Sequence, residues 1–218
     1  MLSYIKKHLS FLIFIVCLLL LTASLSGAAR AKRISDDLTE HILRLHVLAA
    51  SDDDTDQAHK LLVRDAVLNL MSPYMDEAST KEEAIALINE HMDEIVTTSN
   101  AALLNAGDKN TVTVTLSREY FPEKTYGELT FPAGEYDALR ICIGEADGHN
   151  WWCVMFPSLC LIDASTVSVN EEALDKLADS LSGETYNSLF TDNEDTSVSD
   201  NNIRFSFRYL KFLNFLLD

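Results

Sequence analysis

The sequence predicts an α+β fold: a single domain with a mixed or antiparallel sheet and packed helices, preceded by an N-terminal signal or anchor segment. Three observations predict it. Segments of apolar period two alternate with segments of helical period in the order strand, two helices, strand, hairpin, helix, strand. Roughly 190 residues follow the N-terminal segment, enough to bury one real core. No internal repeat, low-complexity run or linker divides them.

The N-terminus carries Lys6 and Lys7, an unbroken apolar run from Phe11 to Leu21, and then the small residues Gly27-Ala28-Ala29 before Arg30. A basic stub, an apolar core and small residues are the pattern of an export signal. The uncharged stretch Leu9 to Ala29 also approaches the length that crosses a bilayer. Two alternatives therefore stand for residues 1–29, a cleaved signal or a retained anchor, and both place residues 30–218 outside the cytoplasmic membrane. Loss of 1–29 removes two lysines and no acid, taking the net charge from −17 to −19. So negative a surface repels nucleic acid and anionic lipid, which excludes both as partners beyond the N-terminal segment itself.

Glu40 to Ala49 alternates with period two and reads as a strand. Ser51-Asp52-Asp53-Asp54-Thr55-Asp56 supplies capping side chains and first-turn negative charge for a helix from about Thr55 to Leu70. Its expected buried stripe is Ala58, Leu61, Leu62, Asp65 flanked by Ala66, and Leu68 to Leu70, with Ser72-Pro73 ending or kinking it. Thr80-Lys81-Glu82-Glu83 has capping-box character and starts a second helix, which runs toward Leu104 and stops at Gly107. Thr111 to Leu116 is a β-branched strand, followed by an excursion rich in aromatic residues through Tyr120, Phe121 and Tyr126.

Asp147-Gly148 between two apolar runs has the residues of a two-residue type I′ hairpin turn. That turn sets Ile143 opposite Trp152 and Cys142 opposite Cys153, with Ile141, Ile143, Trp152, Val154 and Phe156 on one buried face. Trp151 then falls on the other face with His149 and Met155, either as a contact anchor or as core. A helix near Asn170 to Leu181 and an alternating strand from Ile203 to Tyr209 complete the pattern.

Four cysteines are present, and Cys17 lies within the N-terminal apolar run. In an oxidising compartment two of the remaining three can pair. The hairpin register favours Cys142 with Cys153, whereas a tight turn at Pro157-Ser158 brings Cys160 toward Cys153; both pairings stay open. These cysteines and His149 lack the paired spacing of a zinc site, so no metal and no cofactor is expected.

His46 beside Asp52, the neighbours Arg64 and Asp65, the carboxylates Glu119 and Glu123, and Cys153 with His149 are the combinations that catalysis would use. His46 reads as a solvated or hydrogen-bonded strand histidine. Arg64 and Asp65 read as anchors of separate partners. In the inferred register Cys153 and His149 lie about 13 Å apart, too far for a nucleophile and its base. No nucleophile elbow, zinc-protease, P-loop or dinucleotide motif is present. No catalytic residue is expected.

Five motifs, in order, resemble the stage II sporulation protein R family of endospore-forming bacteria. They are Leu43 to Asp52; Asp56-Gln57 through Lys60-Leu61 to Val63-Arg64-Asp65-Ala66-Val67-Leu68; Tyr120 to Gly127; Pro132 to Arg140; and Gly144-Glu145 with Gly148 to Pro157 and Leu159-Cys160. Ala50 stands where the family pattern usually has asparagine, and Ser158 where it has proline. The resemblance implies a secreted signalling protein, exported from the forespore into the intermembrane space of the sporulating cell. There it would activate the membrane-embedded aspartic protease of the mother cell that processes the precursor of sigma factor E. The alternative is an exported cell-wall hydrolase acting during engulfment. The candidate receptor contacts are His149, Trp151, Met155, Tyr120, Phe121 and Tyr126.

Overall fold

The computed structural model describes residues 2–159 and 171–190, with side chains from residue 11 in the first stretch and 174 in the second. It is the expected α+β domain behind an N-terminal apolar helix. α1 (Leu2–His41) exposes its apolar residues from Phe11 to Leu25 and is long and apolar enough to cross a membrane. It does not break at the expected 29/30 boundary. Its last turn carries Leu38, and the residue directly after the helix is Ile42; both are fully buried in the domain core.

Four strands form the main sheet in the order β2 (Val112–Phe121), β5 (Gly134–Ile143), β1 (Leu43–Leu48), β6 (Asn150–Phe156). β1 runs parallel to β5 and antiparallel to β6. A second, two-stranded sheet pairs β3 (Lys124–Tyr126) with β4 (Leu129–Phe131). α2 (Asp54–Glu77), α3 (Lys81–Glu90) and α4 (Met92–Asn105) cover one face of the main sheet. The β3–β4 hairpin, the end of α1, α5 (Glu171–Ser180) and α6 (Gly183–Leu189) pack on part of the other.

The inferred β5–β6 hairpin is overturned, because β1 lies between the two strands. His46 is opposite Arg140 on one side and Trp152 on the other, and Leu45, not Cys142, faces Cys153. A two-residue turn spans one strand spacing of about 4.8 Å, and here the chain must step over two. It does so with Gly144 to His149, and it is Gly144 and Ala146 that take the left-handed φ values, 54° and 57°. Cys142 is therefore free while Cys153 is disulfide-bonded, so the Cys142–Cys153 alternative fails. Cys160, and the expected strand Ile203 to Tyr209, lie outside the described residues.

All six residues of β1 are buried, since a central strand between two layers has no solvent face. The helical expectation also needs correction in detail. The buried stripe of α2 is Lys60, Val63, Val67, Leu68, Met71 and Met75, leaving Leu61 and Leu62 exposed. Pro73 sits inside the helix without ending it. Asp53 at the N-cap makes no side-chain cap bond; its N–H is held instead by Ser51 Oγ. The second expected helix is two, α3 and α4, joined at His91. Its start is as expected: Thr80 accepts from Glu83 N–H, and the Glu83 carboxylate accepts from Ser79 N–H.

On the hairpin side of β1, Arg44 is fully buried. Its guanidinium lies 4.7 Å from the ring centre of Phe121, 5.2 Å from Tyr136, 5.5 Å from Phe131 and 5.9 Å from Tyr126. Nε donates to the Cys153 carbonyl and Nη2 to the Tyr126 hydroxyl, which donates onward to the Trp152 carbonyl. Among the described residues Nη1 has no hydrogen-bond partner, and no carboxylate pairs with the group. Aromatic faces thus replace the usual counter-ion. Burial lowers the pKa of Arg44 and raises those of both tyrosines, Tyr136 to about 12, against the opposing pull of the Arg44 charge.

Raised phenol values mean that the folded state holds these protons longer than the unfolded chain. The associated stability is complete below pH 10 and is lost as pH rises toward 12. In an ultraviolet phenolate titration, Tyr136 and Tyr126 should therefore ionise last, together with alkaline unfolding. Tyr136→Phe should remove part of that late step.

Candidate functional site

The residues of three separated motifs meet at one end of the sheet, where β1 runs out into the first turn of α2. The loop after β1 and the loop before β6 interlock: Gly148 N–H donates to the Ala49 carbonyl and Asp147 N–H to the Ala50 carbonyl. A Cβ on Gly148 would lie 2.1 Å from the Ser51 carbonyl oxygen, so the approach is as close as backbone allows. Asp52 accepts from the His149 N–H at 2.7 Å and also from its imidazole. Ser51 donates to Asp56 at 2.6 Å, and Gln57 donates to the Ser51 carbonyl at 2.8 Å.

Beneath this rim Lys60, 5 % exposed, donates to the Gln57 side chain and to the His149 carbonyl. Burial, and then the nearby Arg64 charge, hold its pKa below the ordinary lysine value. One turn further along α2, the Arg64 guanidinium stacks 4.2 Å from the Trp151 ring centre. Arg64 also pairs with Asp65 at 2.6 Å, which overturns the expectation of separate partners for those two neighbours. Trp151 is half-buried, packs against the helix-side core, and its indole N–H has no hydrogen-bond partner among the described residues.

The expected contact residues separate here. His149, with 78 % of its side chain exposed, and Trp151 belong to this rim. Tyr120 is exposed on β2, and Tyr126, the last residue of β3, is half-buried on the hairpin itself. Met155 and Phe121 have essentially no exposed surface, so they are core residues and not contacts. Both faces of the sheet are covered near them, and alternation alone could not show that. Lys60 and Arg64 were not among the expected contacts, although their four-residue spacing on one helix was a usable signal.

A second polar cluster lies on the other face. His46 Nδ1 contacts Glu119 at 2.6 Å and Nε2 contacts the Asn150 amide oxygen at 3.0 Å. Ser117 donates to the same carboxylate, and Arg140 lies 3.6 Å from it. Phe121 and Trp152 flank the imidazole. The partner of His46 is thus Glu119 and not Asp52, and Glu123 is exposed elsewhere. This has the form of a proton relay, but its far nitrogen meets an amide, which neither attacks nor carries a proton away. Cys153, already set aside as a nucleophile on its distance from His149, is 3 % exposed and oxidised. What the motif end offers is shape, stacking and charge.

Comparison with known proteins matches residues 39–166 to the family described as stage II sporulation protein R (spore_II_R). The chain belongs to the stage II sporulation protein R family. A curated relative, the stage II sporulation protein R of Bacillus subtilis (strain 168), is 35 % identical over 173 residues, covering 75 % of this chain and 77 % of the relative. No solved structure matches. Membership in the stage II sporulation protein R family makes this a sporulation protein, and the matched region spans every residue of the motif end.

Proposed function

We propose that this chain is a secreted signal of endospore formation, delivered from the forespore into the intermembrane space. There it activates the mother-cell membrane aspartic protease that processes the sigma-E precursor. The observation that carries the reading is the meeting of Ser51-Asp52, Gln57-Lys60-Arg64 and Gly148-His149-Trp151 in one locked, partly exposed patch. Such a patch, with an aromatic anchor, an arginine stacked on it and a polar rim, suits protein recognition. The apolar α1 supports passage to, or attachment at, the membrane. Binding would act by favouring the active state of the protease over the inactive one.

The test is reconstitution of precursor cleavage in a heterologous cell carrying the protease, with and without the exported chain. Cleavage should require the chain. Arg64→Glu and His149→Ala should each reduce it about tenfold or more with the circular-dichroism spectrum unchanged. Cleavage without the chain, or turnover of cell-wall material by the purified protein alone, would overturn the proposal in favour of the hydrolase.

A further inference from the structure

We infer that Asp56, His59 and Asp108 form a binding site for a divalent transition-metal ion that staples the start of α2 to the turn between α4 and β2. One ligand atom from each residue lies within 4.8 Å of the other two. His59 Nδ1 is 2.7 Å from Asp108 Oδ2, and the two side chains are only 12 % and 8 % exposed. With metal–ligand bonds of about 2.05 Å, that separation subtends an angle of about 80°, close to adjacent positions of an octahedron.

Two of the ligands are oriented from behind. Asp108 uses its other oxygen to accept the Asn110 N–H at 2.8 Å, and Asp56 uses Oδ2 to accept the Ser51 hydroxyl at 2.6 Å. Outer partners of this kind fix a carboxylate for a metal and lower the cost of assembling the site. Charge favours the same occupant. Two carboxylates face one imidazole, so even a protonated His59 leaves the trio at −1 in a chain already at −17. A dication neutralises both carboxylates and takes the place of the proton on Nδ1. One nitrogen and two oxygens, with the remaining positions open to water, suit Zn²⁺, Mn²⁺ or Co²⁺, whereas Ca²⁺ requires six or more oxygens.

The consequence reaches the motif end, because the Ser51 that orients Asp56 also carries the carbonyl against which Gly148 packs. An ion here would hold the first turn of α2 and the rim above it as one unit. The inference does not depend on what that rim binds.

Calorimetric titration of the purified full-length protein with Zn²⁺, and a Co²⁺ titration followed by visible absorption, test it. One ion should bind per chain, and Zn²⁺ at a hundredfold excess over its Kd should raise the thermal midpoint by roughly 5–10 °C. Asp56→Asn keeps an oxygen for Ser51 and leaves the His59–Asp108 pair intact, yet should weaken Zn²⁺ at least tenfold. His59→Asn should abolish the Co²⁺ spectrum, and His91→Asn, at a different histidine–carboxylate pair, should change neither. Failure of the wild type to bind, or Zn²⁺ affinity unaltered by Asp56→Asn and His59→Asn, overturns the site and leaves a plain ion pair.

Discussion

Gly148→Ala should destabilise the domain by about 3 kcal/mol or more and abolish precursor processing, because the added methyl has no way to rotate clear. It would stand 2.1 Å from the Ser51 oxygen, 2.5 Å from its carbonyl carbon and 3.0 Å from Ala49 Cβ. All three are backbone or Cβ atoms, so relief requires the two interlocked loops to separate. That separation breaks the bonds from Gly148 N–H and Asp147 N–H to Ala49 and Ala50, and with them the Asp52 contact to His149. Gly107→Ala is the informative comparison. Gly107 has φ 81° but open space around its Cβ position, so alanine there should cost only about 1 kcal/mol of left-handed strain. Urea denaturation of the two variants measures both. Equal, small losses would mean that the loops are not locked and that Gly148 is merely a turn residue.

Arg44→Ala should cost about 3–5 kcal/mol, the range of a large core side chain cut to a methyl. It empties the space between Phe121, Tyr126, Phe131 and Tyr136 and removes the donors to the Cys153 carbonyl and the Tyr126 hydroxyl. Arg44→Met separates packing from charge. Methionine refills most of the volume and eliminates a buried cation whose Nη1 has no partner among the described residues, so its cost should stay within about 1.5 kcal/mol. Arg44→Lys should be worse than methionine, since an ammonium keeps the desolvation cost without the flat, weakly hydrated guanidinium that lies among the four rings. If methionine proves as damaging as alanine in urea melts, the hydrogen bonds and not the stacking hold the hairpin to the sheet.

Much of the architecture was legible residue by residue. Thr80 and Glu83 announce a helix start through chemistry confined to four residues, and the capping bonds form as read. Gly107 marks the end of α4 for an equally local reason, its positive φ. The stripe of α2 was misread because period alone does not say which face is covered. Lys60, a residue that usually marks a solvent face, is buried by the carbonyls it feeds, while Leu61 and Leu62 look outward.

The sequence by itself determined the α+β class, the apolar N-terminal helix, most element positions and, through five ordered motifs, the sporulation family. Each of those is encoded locally or in linear order. Only the tertiary structure decided that β1 enters between β5 and β6, and everything about the site follows from that insertion. It frees Cys142, sets His46 between Arg140 and Trp152, and brings Ser51, Lys60, Arg64, Gly148 and Trp151 to one end. Strand order is set by the joint burial of both faces of β1 against two separate layers. That free energy belongs to the assembled core, and no dipeptide such as Asp147-Gly148 can report it.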